Sequence, residues 1–375
     1  MSQKFQQLSP LYEEYYKSSY PYQQIVDWLS YHGTVDAPRR EWSYECMLDS
    51  GETFIKRWVQ VSCADDLRKL TAPVFGETKL KFDIGPVYTL PMDQRRSSVM
   101  VPQWREFVFD IDADDFKTVR KCCSDKKMCN RCWRFMECAA CVLIHFCQTY
   151  GFNDYFFAFS GRRGMHCWVC DPDARFLSQQ LRVQMLSVFE LIKIDNESII
   201  EITFQEASRT HEYLFLICEK FYLEMFQEQG WLNAGEGGHF DETVSALRKI
   251  VTNKSAKVNT NNFKPQDVQI LKEKNPEIYK LLVIYLTYPR FDINVTKSMN
   301  HLLKVPFSVH HATQNVSQPI NHQEIVNHYQ LGNIIKFPHV IEQMQTRFQV
   351  EKPLKMYEDI TECVKFFENF VKSVK

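Results

Sequence analysis

The chain has 375 residues, 45% of them hydrophobic, enough for a substantial core and for two domains or one large one. Lys and Arg number 45 against 46 Asp and Glu, a net charge of −1, which argues against tight duplex binding by overall charge but leaves room for a protein that grips a few phosphates locally. The opening MSQKFQQLSPLYEEYY has no apolar core of signal-peptide type, no stretch nears the ~18 apolar residues of a membrane span, and 13 cysteines, an odd number, point to a reducing compartment rather than a disulfide framework.

Residues 5–32 set aromatic groups at helical spacing and predict one or two helices. Residues 53–62, 105–112, 155–160 and 165–170 read as strands, and Trp133–Tyr150 is long and apolar enough for a buried helix. From about residue 175 the character changes. Phe176–Ile194, His211–Trp231, Asp241–Val251 and Pro265–Leu286 read as helices, separated by the breakers NAGEGGH at 233–239 and a polar stretch at 251–264. FDINV at 291–295 predicts a strand, followed by a helix over Lys297–Lys304 with Thr296 as its cap. Met356–Val374 carries Ile360, Val364, Phe367 and Val371 on one face, a stripe expected to pack on the body of the protein. The expectation is an α/β (α+β) chain in three stretches: a core over 1–175, an inserted helical subdomain over 176–286, and the core resumed over 287–375 with a C-terminal helix.

Two segments carry most of the chemistry. FVFDID at 107–112 puts Asp110 and Asp112 two apart on a strand, hence on one face, with Phe107, Phe109 and Ile111 on the other. An isolated pair of this kind also occurs at solvated strand ends. Held side by side on a central strand, however, two like charges repel unless a cation lies between them, and oxygen ligands suit Mg²⁺ or Mn²⁺. Asp292, on FDINV, is a third candidate. SGRRGMH at 160–166 brackets Arg162 and Arg163 with Gly161 and Gly164 and then places His166 on the next strand, a compact cationic turn suited to phosphate oxygens. Metal-binding acids with a phosphate-gripping loop suggest phosphoryl or nucleotidyl transfer.

Seven cysteines fall between residues 122 and 147. Cys129 and Cys132 form a zinc-like C-x2-C pair, preceded by the adjacent Cys122 and Cys123. Adjacent ligands must both turn toward one ion, so one of them could instead be buried, with Cys138 or Cys141 as the alternative fourth ligand. Cys138, Cys141 and Cys147 otherwise belong to the apolar helix. Lys117, Arg120, Lys121, Lys126, Lys127, Arg131 and Arg134 surround the cluster with only Asp125 opposing, and could compensate thiolate charge or face nucleic acid.

FVFDID, SGRRGMHCWV and PRFDINVTKSMNHLLKVPFSVH at 289–310, with RREWSYE at 39–45 and KFDIG at 81–85, resemble the catalytic small subunits of archaeal and eukaryotic replicative DNA primases. The resemblance implies a primase-type catalytic core with central mixed sheets, a zinc knuckle at 122–132 and an inserted helical subdomain. It implies a DNA-directed RNA polymerase that makes short primers on single-stranded DNA. Asp110, Asp112 and Asp292 would hold two Mg²⁺ or Mn²⁺ ions, with Glu41 an acidic residue near them. Ser160, Gly161, Arg162, Arg163, Gly164, His166, His301, Lys304 and His310 would hold the nucleotide, with Arg57 a further contact and Asp83 a candidate for the ribose hydroxyls. Cys122, Cys123, Cys129 and Cys132 would hold a structural Zn²⁺. The implied partners are ribonucleoside triphosphates, the template, the iron–sulfur-containing large primase subunit, and the catalytic and accessory subunits of DNA polymerase alpha, in the nucleus and without a membrane. A related primase-polymerase preferring deoxynucleotides and a non-catalytic zinc-containing scaffold are the rival readings.

Overall fold

The computed structural model describes residues 14–31, 33, 36–72, 74, 77–123, 127–195, 198–234, 238–253, 264, 266–310, 312–322, 325 and 357–374. Asp125 and Lys126, and the first part of the helical expectation at 5–32, lie outside the described residues. Among the described residues the strands are, in chain order, β1 (Arg40–Leu48), β2 (Thr53–Val59), β3 (Glu77–Tyr88), β4 (Pro102–Trp104), β5 (Phe107–Asp112), β6 (Tyr155–Phe159), β7 (Gly164–Val169), β8 (Ile192–Asp195), β9 (Ser198–Ile202), β10 (Leu303–Lys304) and β11 (Pro319–Ile320). No helix among the described residues is long and apolar enough to cross a membrane. The 13 cysteines are all free thiols.

The chain divides into two compact units. The first comprises Met1–Asp110, Tyr150–Arg182 and Ile293–Lys375. Its larger sheet has the order β10-β3-β1-β2, with β4 also paired to β3; these pairings are antiparallel. The central place of β3 sets Asp83 opposite Ser43 on β1 and opposite Lys304 on β10. The second sheet has the order β11-β6-β7-β5. There β6 and β7 form an antiparallel hairpin pairing Ala158 with His166 and Phe159 with Met165. Flanked on both sides, β7 is buried on both of its faces, so Trp168 and His166 are as enclosed as Cys167 and Val169. β5 is buried at every position except Asp110 and Asp112, which stay half-buried.

The core of this unit is aromatic. Trp28 of α1 (Tyr22–Ser30) meets Phe156, Trp168 and Phe367 edge to face. Phe367 lies on the C-terminal helix, Tyr357–Ser373. Its Ile360, Phe367 and Val371 are buried in this core and Val364 packs against it, as the spacing predicts.

The second unit comprises Ile111–Thr149 and Val183–Asp292. The Cys122–Cys132 segment therefore groups with most of the 176–286 stretch. The helix Asn130–Tyr150 is buried along most of its length, matching the expectation from Trp133. Three further helices, Arg209–Met225, Phe240–Asn253 and Asp267–Lys274, pack against a fourth, Pro276–Thr287, which is buried at Leu281, Leu282, Val283 and Ile284. Ser208 caps the first of them, its hydroxyl accepting from His211 N at 3.3 Å.

Three expectations are corrected. Phe176–Ile194 is not one helix: a helix over Gln179–Ser187 gives way to β8, which pairs antiparallel with β9, so the inserted stretch is not purely helical. FDINV is not a strand; Asp292 precedes a short helix, Ile293–Lys297, whose Val295 and Thr296 are buried. Five residues do not separate a period of two from one of 3.6. Lys297–Lys304 is not a helix either, because Leu303 and Lys304 are claimed by the edge of β3 as β10.

Candidate active site and metal centre

Within the first unit, the turn between β6 and β7 is closed by its own backbone. Ser160 N donates to Gly164 O at 2.9 Å, and Gly164 N donates to the Ser160 hydroxyl at 3.0 Å. Gly161 has φ +93°, the left-handed region that favours glycine. A Cβ there would stand 2.8 Å from His310 Cβ. The Gly161 carbonyl accepts from Thr313 Oγ1 at 2.5 Å and Asn315 Nδ2 at 3.1 Å. Lys304 Nζ donates to Ser160 O at 3.1 Å. His310 N bonds Asn315 O at 2.9 Å, and its Nδ1 accepts from Ala312 N at 3.2 Å, which leaves the proton on Nε2. The structure thus brings Ser160, Gly161, Gly164, Lys304 and His310 together. Arg162 and Arg163 are half-buried on the same turn.

Burial pushes the Lys304 ammonium down to about 8, with Asp83 and Asp110 opposing the shift. Burial first, then the charges of Lys304 and Lys81, push His166 down to about 3, so its ring is neutral. His166 Nε2 lies 3.5 Å from Asp110 Oδ1, long for a hydrogen bond, and its Nδ1 is buried with no hydrogen-bond partner. Asp83 is held by Lys81 at 3.0 Å.

Glu41 and Arg57 are partners of each other. Arg57 Nε and Nη2 donate to the two oxygens of Glu41 at 2.8 and 3.1 Å, and Tyr88 OH donates to Glu41 at 3.1 Å. The Glu41 side chain is fully buried, whereas that of Arg57 is 39% exposed. A second buried pair joins Arg40 and Glu106. Arg40 Nη1 and Nη2 each donate to Glu106 at 2.8 Å, and Tyr31 OH donates to the same carboxylate at 2.7 Å. Burial alone would raise the Glu106 carboxyl, but the Arg40 charge and hydrogen bonds hold it at about 2. Next to it, the buried Arg105 donates to the carbonyls of Ser298 and His301 at 3.1 and 2.7 Å. The His301 residue itself is exposed.

In the second unit, Asp112 Oδ1 caps the turn that follows β5, accepting from Asp114 N at 2.9 Å. Asp115 has an exposed surface yet is crowded by protein on its other sides. Burial first, then the charges of Asp112 and Asp292, push its carboxyl up to about 6, with Arg290 opposing. Asp112 and Asp292 therefore lie close enough to Asp115 to act on its charge, with the buried Arg290 opposing.

The four cysteines of the knuckle meet as one group. Their sulfurs all lie within 4.8 Å of one another, and Cys138 and Cys141 are not among them. Cys129 Sγ is 3.7 Å from Cys122 Sγ and 3.7 Å from Cys132 Sγ. Tetrahedral zinc with Zn–S bonds of about 2.3 Å requires sulfurs about 3.8 Å apart, so the residues fit the ion. The crowding splits the thiols. Hydrogen bonding from Cys122 first, with further donors in Cys129 N and Arg120, draws Cys132 down to about 5, while Cys122 is raised, first by the same hydrogen bond. Arg120 Nη1 reaches Cys132 Sγ at 4.0 Å, and Cys129 is the first influence raising the Arg131 guanidinium, so both cations lie beside the cysteine cluster. Arg134 pairs with Glu137 at 2.7 Å, and Lys121 pairs with Glu242.

Sequence reasoning did not find Glu106, Arg105, Asp115, Thr313, Asn315 or Gln229. Glu106 and Asp115 had a faint signal as acids beside FVFDID. Gln229 had none: its Oε1 accepts from Cys122 N at 3.2 Å across 107 residues of chain.

The family model for the DNA primase small subunit matches residues 109–322. The DNA primase small subunit of Drosophila melanogaster is 30% identical over 348 residues, which cover 82% of this chain and 75% of that protein. The Schizosaccharomyces pombe DNA primase small subunit is 29% identical, with 82% and 72% covered, and that of Saccharomyces cerevisiae is 29% identical, with 82% and 80% covered.

Proposed function

The chain belongs to the DNA primase small subunit family and is a nucleotidyltransferase of that kind; from that premise we propose that it joins ribonucleotides into short RNA primers on single-stranded DNA without a pre-existing primer. Asp110, Asp112 and Asp292 would hold two Mg²⁺ or Mn²⁺ ions, which would supply activation of the attacking 3′-hydroxyl and charge neutralisation at the leaving pyrophosphate. The protein itself does the positioning. Lys304, Arg162, Arg163 and the Nε2 proton of His310 offer donors to the triphosphate around the Ser160–Gly164 turn. Glu41, committed to Arg57, aims that guanidinium rather than touching the reacting atoms, and Asp83 lies one strand from Lys304, within reach of a ribose hydroxyl. The convergence of the 160–166 turn with Lys304 and His310, beside Asp110, carries this reading.

Cys122, Cys123, Cys129 and Cys132 hold a structural Zn²⁺. The working complex includes an iron–sulfur-containing large subunit and the DNA polymerase alpha subunits, and acts in the nucleus. One triphosphate cradle is recognisable among the described residues, and starting a chain needs two nucleotides at once. The large subunit therefore supplies the grip on the nucleotide that becomes the 5′ end.

The test is incubation of the chain with single-stranded DNA, Mg²⁺ or Mn²⁺ and labelled ribonucleotides, with and without an RNA primer. Primer extension that exceeds initiation, with initiation restored by the large subunit, is expected. Asp110→Ala should abolish addition in both arms while leaving the circular dichroism spectrum unchanged. Near-normal synthesis by that variant would overturn the metal assignment, and a preference for deoxynucleotides would point to a primase-polymerase instead.

A further inference from the structure

Gln229 follows the helix Arg209–Met225 and is 1% exposed. Its side-chain Oε1 accepts from Lys121 N at 2.8 Å and from Cys122 N at 3.2 Å. Its Nε2 donates to Cys122 Sγ at 3.4 Å and to Arg131 O at 3.3 Å. A carboxamide offers two acceptor positions and two donors. All four are spent here, and all on the 121–131 segment that carries the cysteines. Two of them serve the arm containing Cys122, one its sulfur, and one the arm containing Cys129 and Cys132. Trp231 repeats the pattern two residues on. Its Nε1 donates to Val119 O at 2.7 Å, while its ring stacks on Tyr222 at 6.1 Å. A glutamine that merely filled space would not need every polar position matched to one loop.

We propose that Gln229 is a positioning residue for the metal held by Cys122, Cys123, Cys129 and Cys132. It orients the Cys122 sulfur through an N–H···S bond and sets the spacing between the two ligand arms. The inference rests on the zinc reading above. Groups that hydrogen-bond metal ligands tune affinity as well as orientation, and their loss weakens binding about 10–100-fold. A consequence is that the 226–231 turn and the knuckle share one fate: the turn is ordered by the knuckle, and the knuckle by its ion.

The test uses the full chain. Zinc is quantified by elemental analysis, then competed away with a chromophoric chelator in the parent, Gln229→Met and Gln229→Glu chains. Gln229→Met keeps the length and removes all four bonds. Gln229→Glu keeps an acceptor for the two N–H groups but turns a carboxylate on Cys122. Both should bind zinc about 10–100-fold more weakly, and the cobalt-loaded Gln229→Glu chain should show a shifted thiolate-to-cobalt absorption band. In the parent chain, which needs no variant to fold, zinc removal should speed amide hydrogen exchange across 226–231 at least about tenfold, together with 119–132. A parent chain without stoichiometric zinc overturns the zinc reading and this inference with it. A zinc-bound parent whose variants hold zinc within twofold, or whose 226–231 amides stay protected after chelation, overturns this inference alone.

Discussion

The turn at Ser160–His166 and the knuckle at Cys122–Cys132 both gather groups that attract a charged ligand, and they are held in opposite ways. The turn is finished by the protein. Ser160 and Gly164 bond to each other, Thr313 and Asn315 hold the Gly161 carbonyl, and Lys304 is tied to Ser160 O. On the nucleotide-binding reading proposed above, the backbone of this turn is set before a ligand arrives, so little ordering is left for binding to cost. The knuckle, on the zinc reading proposed above, is finished by its ion. Four sulfurs within 4.8 Å of one another repel as thiolates, and hydrogen bonds from Gln229 and Arg120 spread that charge without cancelling it. A ligand exchanged at every turnover calls for a preformed cradle, whereas a resident ion can be part of the fold.

The comparison breaks most easily at the knuckle. Changing Cys129 and Cys132 together to Ser should abolish zinc retention and lower the melting temperature sharply, since structural zinc contributes on the order of 10 kcal/mol of binding free energy. Elemental analysis and calorimetry decide it; an unchanged melting temperature would mean that the knuckle, too, is finished by the protein.

Next in size is the buried Arg40–Glu106 pair. Glu106→Gln leaves Arg40 buried against a neutral partner and should cost about 3–5 kcal/mol in denaturant unfolding. The sign with pH follows from the Glu106 carboxyl lying at about 2, below its ordinary 4.5. The stability it contributes is complete above pH 4.5 and is lost as pH falls toward 2. The variant should therefore be less acid-sensitive than the parent over that window.

Gly161→Ala sharpens the comparison from the other side. The positive φ and the 2.8 Å approach to His310 Cβ should cost about 1–3 kcal/mol and raise KM for nucleotide severalfold, with zinc content unchanged. An equal KM would show that the turn tolerates disorder.

The smallest effect concerns Lys304, whose ammonium lies at about 8 rather than its ordinary 10.5. Between those values the unfolded chain holds a proton that the folded chain has shed, so this residue makes stability rise with pH across that window. In the folded chain its charge is lost as pH rises through about 8, so kcat/KM for nucleotide should fall as pH passes that value. Lys304→Arg, which keeps its charge, should flatten that fall; a fall that survives the substitution would assign it to another group.

What was legible in the sequence is what neighbouring residues decide among themselves. The strand FVFDID with its two same-face acids, the glycine-bracketed turn, the four-cysteine cluster, the helix over 133–150 and the apolar stripe at Ile360, Val364, Phe367 and Val371 all follow from backbone periodicity, turn stereochemistry and short spacing. What only the tertiary structure decided is which distant group answers each buried charge or edge. Glu41 meets Arg57 across 16 residues, Glu106 meets Arg40 across 66, Cys122 meets Gln229 across 107, and Lys304 joins a strand because β3 offers it an open edge. The physical reason is that a buried polar group must find a partner among whatever else reaches the same place, and no local pattern in a chain records what reaches a place from far away.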